Sequence, residues 1–266
     1  MSQLLRHYGF RHHPFARQTP PDALLKHRGY EEALSRLRFA VELDAIAMLV
    51  ADSGCGKSLL MGQLADELQR EKWTVHYFAH STVGPFGLIN VLSRKVGLMP
   101  RRSRGETASL VIDHLLEADH RHLLVIDEAH ELPDATLDDI RLLTIADFDR
   151  RSPFLLLLAG QLSLDERLAE PAHHALDQRI TTVARLLPLS QEETCQYIAA
   201  RLNAAGAKDQ PVFVDGAMAA IAEGSGGVPR RVNALATSAL IVAASRKRKL
   251  VSAQDVADAR LDRGRS

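Results

Sequence analysis

Ala51-Asp52-Ser53-Gly54-Cys55-Gly56-Lys57-Ser58 follows directly on the apolar run Ala47-Met48-Leu49-Val50. The pattern is a strand that ends, a loop of small residues, and a helix that starts at about Lys57. Backbone N–H groups of such a loop, with the helix N-terminus, form a concave site for an anion. Gly54 and Gly56 let the backbone approach closely and take positive φ. Lys57 is placed to reach the β- and γ-phosphates of a nucleotide, and the Ser58 hydroxyl to ligate Mg²⁺. Asp52, Ser53, Gly54, Cys55, Gly56, Lys57, Ser58 and Leu59 are thus the candidate nucleotide-binding residues. Leu60, Leu64 and Leu68 recur at helical spacing, so the helix has a face to bury. One departure is visible: the loop opens on Ala51 where the usual pattern has Gly, a change tolerated if φ is negative there.

A second motif stands at Leu123-Leu124-Val125-Ile126-Asp127-Glu128. Its aliphatic run fits a strand buried on both faces of a parallel sheet. Asp127 suits a carboxylate associated with Mg²⁺, and Glu128 a base or positioner for attacking water. The alternative is a buried strand followed by a solvated acidic turn. Asp127-Glu128-Ala129-His130 resembles a helicase box, but such helicases use two core domains and this chain has length for one.

The chain has 266 residues, 46% of them apolar and 25% charged, which suits one large domain and one small one. Lys plus Arg equals Asp plus Glu at 33 each, so global charge argues neither for nor against nucleic acid. No apolar stretch approaches the length of a membrane span, and the N-terminus, with Arg6, His7, Arg11 and His12, lacks a secretory apolar core. Cys55 and Cys195 imply no disulfide framework, and the twelve histidines show no Cys/His spacing for a closed metal site. A cytoplasmic protein with no membrane partner is the expectation.

Strands are expected at about 46–51, 74–79, 121–127 and 153–159, with a short fifth at Val183–Leu187. Helices are expected at about 30–43, 57–71, 85–97, 107–118 and 135–149, and a loop at 98–106. Strands alternating with helices give an α/β fold with a parallel sheet. From Ser190 the pattern is helical only, with helices over 215–223, 229–245 and 252–260 and helix starts at Ser190-Gln191-Glu192-Glu193 and Ser252-Ala253-Gln254-Asp255. The expected division is an N-terminal segment 1–30 packing near the nucleotide, an α/β core 31–189 and a helical domain 190–266.

Together these stretches resemble the AAA+ ATPases, a P-loop three-layer core followed by a small all-helical lid. Three further matches support the resemblance. Ala159-Gly160-Gln161 stands where that family carries a polar sensor of the γ-phosphate, a role the likeness gives to Gln161. Leu176-Asp177-Gln178-Arg179-Ile180, with Arg185 and Leu187-Pro188-Leu189, looks like the segment before the lid. Gly226-Gly227-Val228-Pro229-Arg230-Arg231-Val232-Asn233 looks like the second sensor motif, in which the Arg after Pro, here Arg230, leans over the phosphates. Within that family the likeness is to the ExeA-like group, which shades into the TniB, MuB and TnsC-like ATPases of transposons. It is carried by Tyr8-Gly9-Phe10-Arg11-His12-His13-Pro14-Phe15 and by the course from Leu34-Ser35-Arg36-Leu37 into the first strand.

The resemblance implies ATP and Mg²⁺ as cofactors and hydrolysis of ATP as the activity. It implies a homo-oligomer, ring or filament, in which an arginine from a neighbouring subunit completes the site. Arg179 and Arg185 are the candidates, each with the alternative of a local ion pair. Tyr8, Phe10 and Phe15 are read either as neighbours of the adenine or as core. Cys55, beside a helix N-terminus, is read either as a reactive thiolate or as an inert filler. Arg101-Arg102-Ser103-Arg104 and Arg246-Lys247-Arg248-Lys249 are either duplex-DNA contacts, multiplied by assembly, or solvated faces. The leading expectation is an ATP-dependent DNA-binding regulator of transposition, partner to a transposase or integrase. The others are an ATPase of the type II secretion pathway, which is expected to carry an anchor and a wall-binding part, and a nucleotide-gated interaction module with little turnover.

Overall fold

The computed structural model describes residues 3–16, 26–79, 84–145, 151–207, 211–262 and 264. They fall into two compact units, one of residues 29–186 and one that combines residues 1–28 with 187–266. In chain order the helices and strands are α1 Gln3–Tyr8, α2 Arg28–Glu42, β1 Ile46–Val50, α3 Lys57–Arg70, β2 Thr74–Phe78, α4 Pro85–Lys95, α5 Arg104–Glu117, β3 His122–Ile126, α6 Asp134–Leu143, β4 Leu155–Gly160, α7 Leu162–Leu168, α8 His174–Asp177, β5 Ile180–Arg185, α9 Gln191–Ala204, α10 Asp215–Ser225, α11 Pro229–Ser245 and α12 Ala253–Asp262.

The first unit is built on a five-stranded sheet in the order β2-β3-β4-β1-β5, parallel throughout. Every residue of β1, β3 and β4 is buried, which is why those segments read as unbroken apolar runs. β2 and β5 are the edges and mix exposed with buried positions. Met48, Val50, Ile126 and Leu158 point to one face, where they pack with Leu88 and Leu92 of α4, Val111 and Leu115 of α5 and Ile140 of α6. Strand residues of the other parity, such as Leu49, Val125 and Leu157, are equally buried, and α2 and α3 supply that third layer. Arg38 of α2 ties the two helices with paired bonds of 2.9 and 2.7 Å to Glu67 of α3, and Tyr30 donates to Gln63 at 2.8 Å.

Element boundaries coincide with expectation or lie within three residues of it, except for the end of α6. β5 starts at Ile180, three residues before the expected strand, because it pairs with β1 from Ile46 onward across a register shift. α6 ends at Leu143, with Thr144 and Ile145 outside it, and the remaining expected helical residues 146–149 lie outside the described residues. α7 was not expected, since seven residues with only Leu164 and Leu168 buried leave no period to read.

In the second unit α1, α9, α10, α11 and α12 enclose a separate core of Ile198, Phe213, Ile221, Val232, Leu240 and Val256. Phe10 and Phe15 belong to that core, and the Tyr8 hydroxyl donates to the Leu240 carbonyl at 3.0 Å. Burial raises the Tyr8 phenol to about 12. Arg201 of α9 is buried and donates to the carbonyls of Pro14 and Ala16 at 2.7 Å each, which pins the N-terminal segment. The expected helix starts are present. Ser190 and Glu193 form a reciprocal capping box, and Ser252 and Asp255 exchange backbone and side-chain bonds in the same way.

Candidate nucleotide site at the carboxyl edge of the sheet

A parallel sheet collects all its strand ends on one edge. β1 runs into the loop 51–56, β3 into Asp127-Glu128, β4 into Gly160-Gln161 and β5 ends at Arg185. β1 lies between β4 and β5, which are joined across it, so the loop sits where the strand order reverses. β3 is not the neighbour of β1, because β4 lies between them. Val50 pairs with Gly160, Leu49 with Ala159, and Ile126 with Leu158, so Asp127 falls level with Leu49. Two strand spacings place their Cα atoms about 10 Å apart.

The loop has the shape an anion cradle needs. Gly54 has φ 92° and Gly56 φ 108°, conformations that L side chains rarely adopt. Ala51 is not among the residues with positive φ, so the missing glycine costs nothing there. The Ala51 N–H donates to the Gly160 carbonyl at 3.1 Å, which joins the loop to β4. α3 begins at Lys57, whose ammonium is buried and donates to the Ala51 carbonyl at 2.8 Å. An ammonium has three donors, so this bond holds the side chain along the loop and leaves two more. Ser58 and Leu59 are exposed on the first turn, as are Asp52 and Ser53 on the loop. Cys55 is buried at 4% exposure, so its thiol is not presented to solvent, which favours the filler reading over the reactive one.

Asp127 is buried and its carboxylate is held at both oxygens. Oδ1 accepts the Glu128 N–H at 2.9 Å and Oδ2 accepts the Tyr77 hydroxyl at 2.7 Å. The Tyr77 phenol is raised to about 12 by burial, then by its bond to Asp127. Glu128 has φ 51° and ψ 39°, a left-handed conformation in a non-glycine residue. Strain of this kind collects at functional sites. The turn that carries Glu128 is braced from behind. Arg167 of α7 donates to the His130 carbonyl at 3.1 Å and pairs with Asp134, whose carboxyl it holds below the usual range. His130 Nδ1 lies 3.5 Å from Glu128 and Nε2 3.3 Å from Glu131. A Cβ on Gly160 would come within 2.9 Å of Leu164 and 3.4 Å of the His130 nitrogen, so β4 ends on a glycine because α7 and the turn close over it.

Gln161 follows directly and caps α7, its carbonyl accepting the Leu164 N–H at 2.9 Å. Arg185 is exposed at the end of β5 and pairs with Asp165 at 2.5 Å. Arg179 is half-buried between α8 and β5. Arg230 is exposed in the first turn of α11, in the helical unit. The structure thus brings residues 51–59, Asp127, Glu128, Gln161 and Arg185 to one edge of one sheet. Tyr77 is the residue that sequence reasoning passed over. Its link to Asp127 depends on the register between β2 and β3, which no local pattern discloses.

The donor set fits a magnesium–triphosphate. N–H groups and an ammonium suit phosphate oxygens, while a hydroxyl and a carboxylate are the oxygen ligands that a hard cation takes.

Residues 41–168 match the family described as AAA domain. Over 245 residues the chain is 30% identical to the general secretion pathway protein A of Aeromonas hydrophila, covering 90% of this chain and 44% of that protein. The chain therefore spans less than half the length of this relative. Among solved structures, Cdc6p from Pyrobaculum aerophilum superposes with a TM-score of 0.71 at 21% identity, over 92% of this chain and 69% of that one. The Aeropyrum pernix ORC1 protein in complex with DNA gives 0.68 at 20% identity, over 95% and 69%. The Thermotoga maritima RuvB Holliday junction branch migration motor gives 0.62 at 20% identity, over 92% and 72%.

Proposed function

We propose that this chain, whose core has the AAA+ P-loop fold, binds ATP with magnesium, hydrolyses it, and uses nucleotide state to govern its assembly with other proteins. The observation that carries the reading is the convergence of a positive-φ glycine loop with Lys57 and of Asp127-Glu128 on one sheet edge, in register across β4. In it, the loop N–H groups and Lys57 bind the β- and γ-phosphates, and Ser58 and Asp127 hold the metal. Glu128 orients water and accepts its proton, and Gln161 contacts the γ-phosphate. Magnesium, when bound, neutralises charge on the phosphate oxygens. Arg230 is assigned to the phosphates by the motif around Pro229 alone. Arg179 and Arg185 are assigned as candidates to act in trans. For Arg185 this requires release from Asp165, which is the local ion pair weighed against it.

The test is nucleotide binding and turnover on the purified chain. Wild type is expected to bind ATP and to release phosphate, and Lys57→Ala to lose binding by roughly 100-fold or more, in line with loss of a charged phosphate contact. A Lys57→Ala chain that binds as wild type does would overturn the assignment.

For the setting, the curated relative supports an ATPase of the ExeA-like kind serving a general secretion pathway. The anchor and wall-binding part expected of that setting are not a test of it in a chain spanning 44% of the relative's length. No helix among the described residues is long and apolar enough to cross a membrane. The second reading is a DNA-bound regulator of transposition with a transposase partner. One basic cluster keeps it open: Arg101 and Arg102 are exposed. The other cluster is largely committed within its own unit, since Arg246 pairs with Asp255 at 2.9 Å and Asp258 at 2.6 Å, and Arg248 with Asp255. ATP-dependent, salt-sensitive retention of duplex DNA, lost in Arg101→Ala/Arg102→Ala, decides for the DNA reading. Retention that ignores ATP decides against it.

A further inference from the structure

We propose that Tyr77 is a positioning residue for Asp127, and that it sets how strongly magnesium strengthens nucleotide binding. The inference rests on the ATP–magnesium reading of the site. Tyr77 is paired in register with Val125, so alternation puts Asp127, two residues on, on the same face of the sheet as Tyr77. A long side chain reaches a diagonal cross-strand neighbour of this kind, and the phenol oxygen stands 2.7 Å from Oδ2. The other oxygen takes the Glu128 N–H at 2.9 Å, and the Asp127 N–H itself donates to the Phe78 carbonyl at 2.9 Å. Asp127 is thus fixed by three bonds, two on its carboxylate and one on its backbone, and two of the three are made with the last two residues of β2.

A carboxylate offers about four acceptor positions, so these bonds orient the group and leave acceptor capacity that a cation or its water shell would use. Without the phenol, the side chain keeps only one oxygen anchored and is free to rotate away from the metal. Tyr77 is 43% exposed, so replacing it with Phe removes the hydroxyl without opening a buried cavity. Removal of an outer partner of a metal-binding carboxylate typically weakens metal affinity about 10-fold or more.

The experiment measures the affinity of the full chain for a fluorescent ATP analogue with and without magnesium. Tyr77→Phe is expected to keep the magnesium-free affinity within about 2-fold and to lose roughly 10-fold of the gain that magnesium confers. In the Asp127→Asn background, Tyr77→Phe is expected to change nothing further, because it acts through that carboxylate. A purely structural role would lower both affinities together and would add to Asp127→Asn. Equal magnesium gains in Tyr77→Phe and wild type overturn the inference while the ATP reading stands. A wild type without a magnesium gain overturns the ATP–magnesium reading, and this inference with it.

Discussion

Glu128 is held in a backbone conformation that side chains avoid, at φ 51°, one residue after a buried carboxylate. Left-handed geometry in a non-glycine residue costs roughly 1–2 kcal/mol, and the surrounding structure must sustain it. Glu128→Gly is therefore expected to leave the chain as stable or to stabilise it by up to about 1 kcal/mol, while turnover is lost. Chemical denaturation beside a phosphate-release assay reads both. Glu128→Gln keeps the shape and removes the base, so nucleotide affinity is expected to hold while turnover falls roughly 100- to 10,000-fold. A variant as fast as wild type would take the water-positioning role away from Glu128. These residues were legible because their chemistry is local: a glycine loop, a lysine and a serine are contiguous, and the acids end an apolar run. Cys55 shows the boundary of such reading. A helix N-terminus favours a thiolate, yet whether solvent reaches the sulfur depends on packing around the loop, and Cys55 is buried.

At the scale of elements, β2 and β3 share a histidine pair on the face away from Tyr77. His76 Nε2 and His122 Nδ1 lie 3.1 Å apart, both buried, with the rings stacked. Burial, then Lys95, lowers His76, and burial, then His76 and the neighbouring histidines, lowers His122 to about 4. Both are neutral in the folded chain at neutral pH. Between pH 6.5 and about 4 the unfolded chain binds protons that the folded chain refuses, so stability from this pair is complete above pH 6.5 and drains as the pH falls toward 4. The expected loss is on the order of 1–3 kcal/mol, read as a lower urea midpoint at pH 5 than at pH 7.5. His122→Phe should flatten that dependence, and an unchanged slope would assign the acid loss elsewhere. In the helical unit, a Cβ on Gly227, at φ 69°, would lie 1.9 Å from the Leu189 carbonyl oxygen, and the Leu189 N–H donates to Gly227 at 2.9 Å. Gly227→Ala is expected to cost more than about 3 kcal/mol, seen as a fall in melting temperature. The glycine was readable as part of a motif, but the backbone pressed against it was not. The same holds for the cluster 246–249. Its charge is plain in sequence, whereas its use as a clamp on Asp255, at 0% exposure, depends on how α12 folds back.

For the molecule as a whole, a ligand that binds only the folded state stabilises it by about 2.7 kcal/mol at 100 times its dissociation constant. Magnesium-ATP is thus expected to raise the melting temperature by several degrees, and Lys57→Ala to abolish the rise. If nucleotide also governs assembly, light scattering should grow with a non-hydrolysed analogue, and Arg179→Ala or Arg185→Ala should blunt turnover more than binding. What the sequence hid at this scale is the company its first residues keep. Arg201 reaches Pro14 and Ala16 across 187 and 185 positions of chain, and no window of residues records such a bond. The α/β core, residues 29–186, is in consequence spliced between two pieces of one unit. During synthesis, at roughly 5–20 residues per second, the opening segment leaves the ribosome without its partners. The core emerges next, and the helices that complete the opening segment follow it. Phe10 and Phe15 gain their native cover only once α9 to α12 have been made, so a nascent-chain chaperone is expected to bind this stretch.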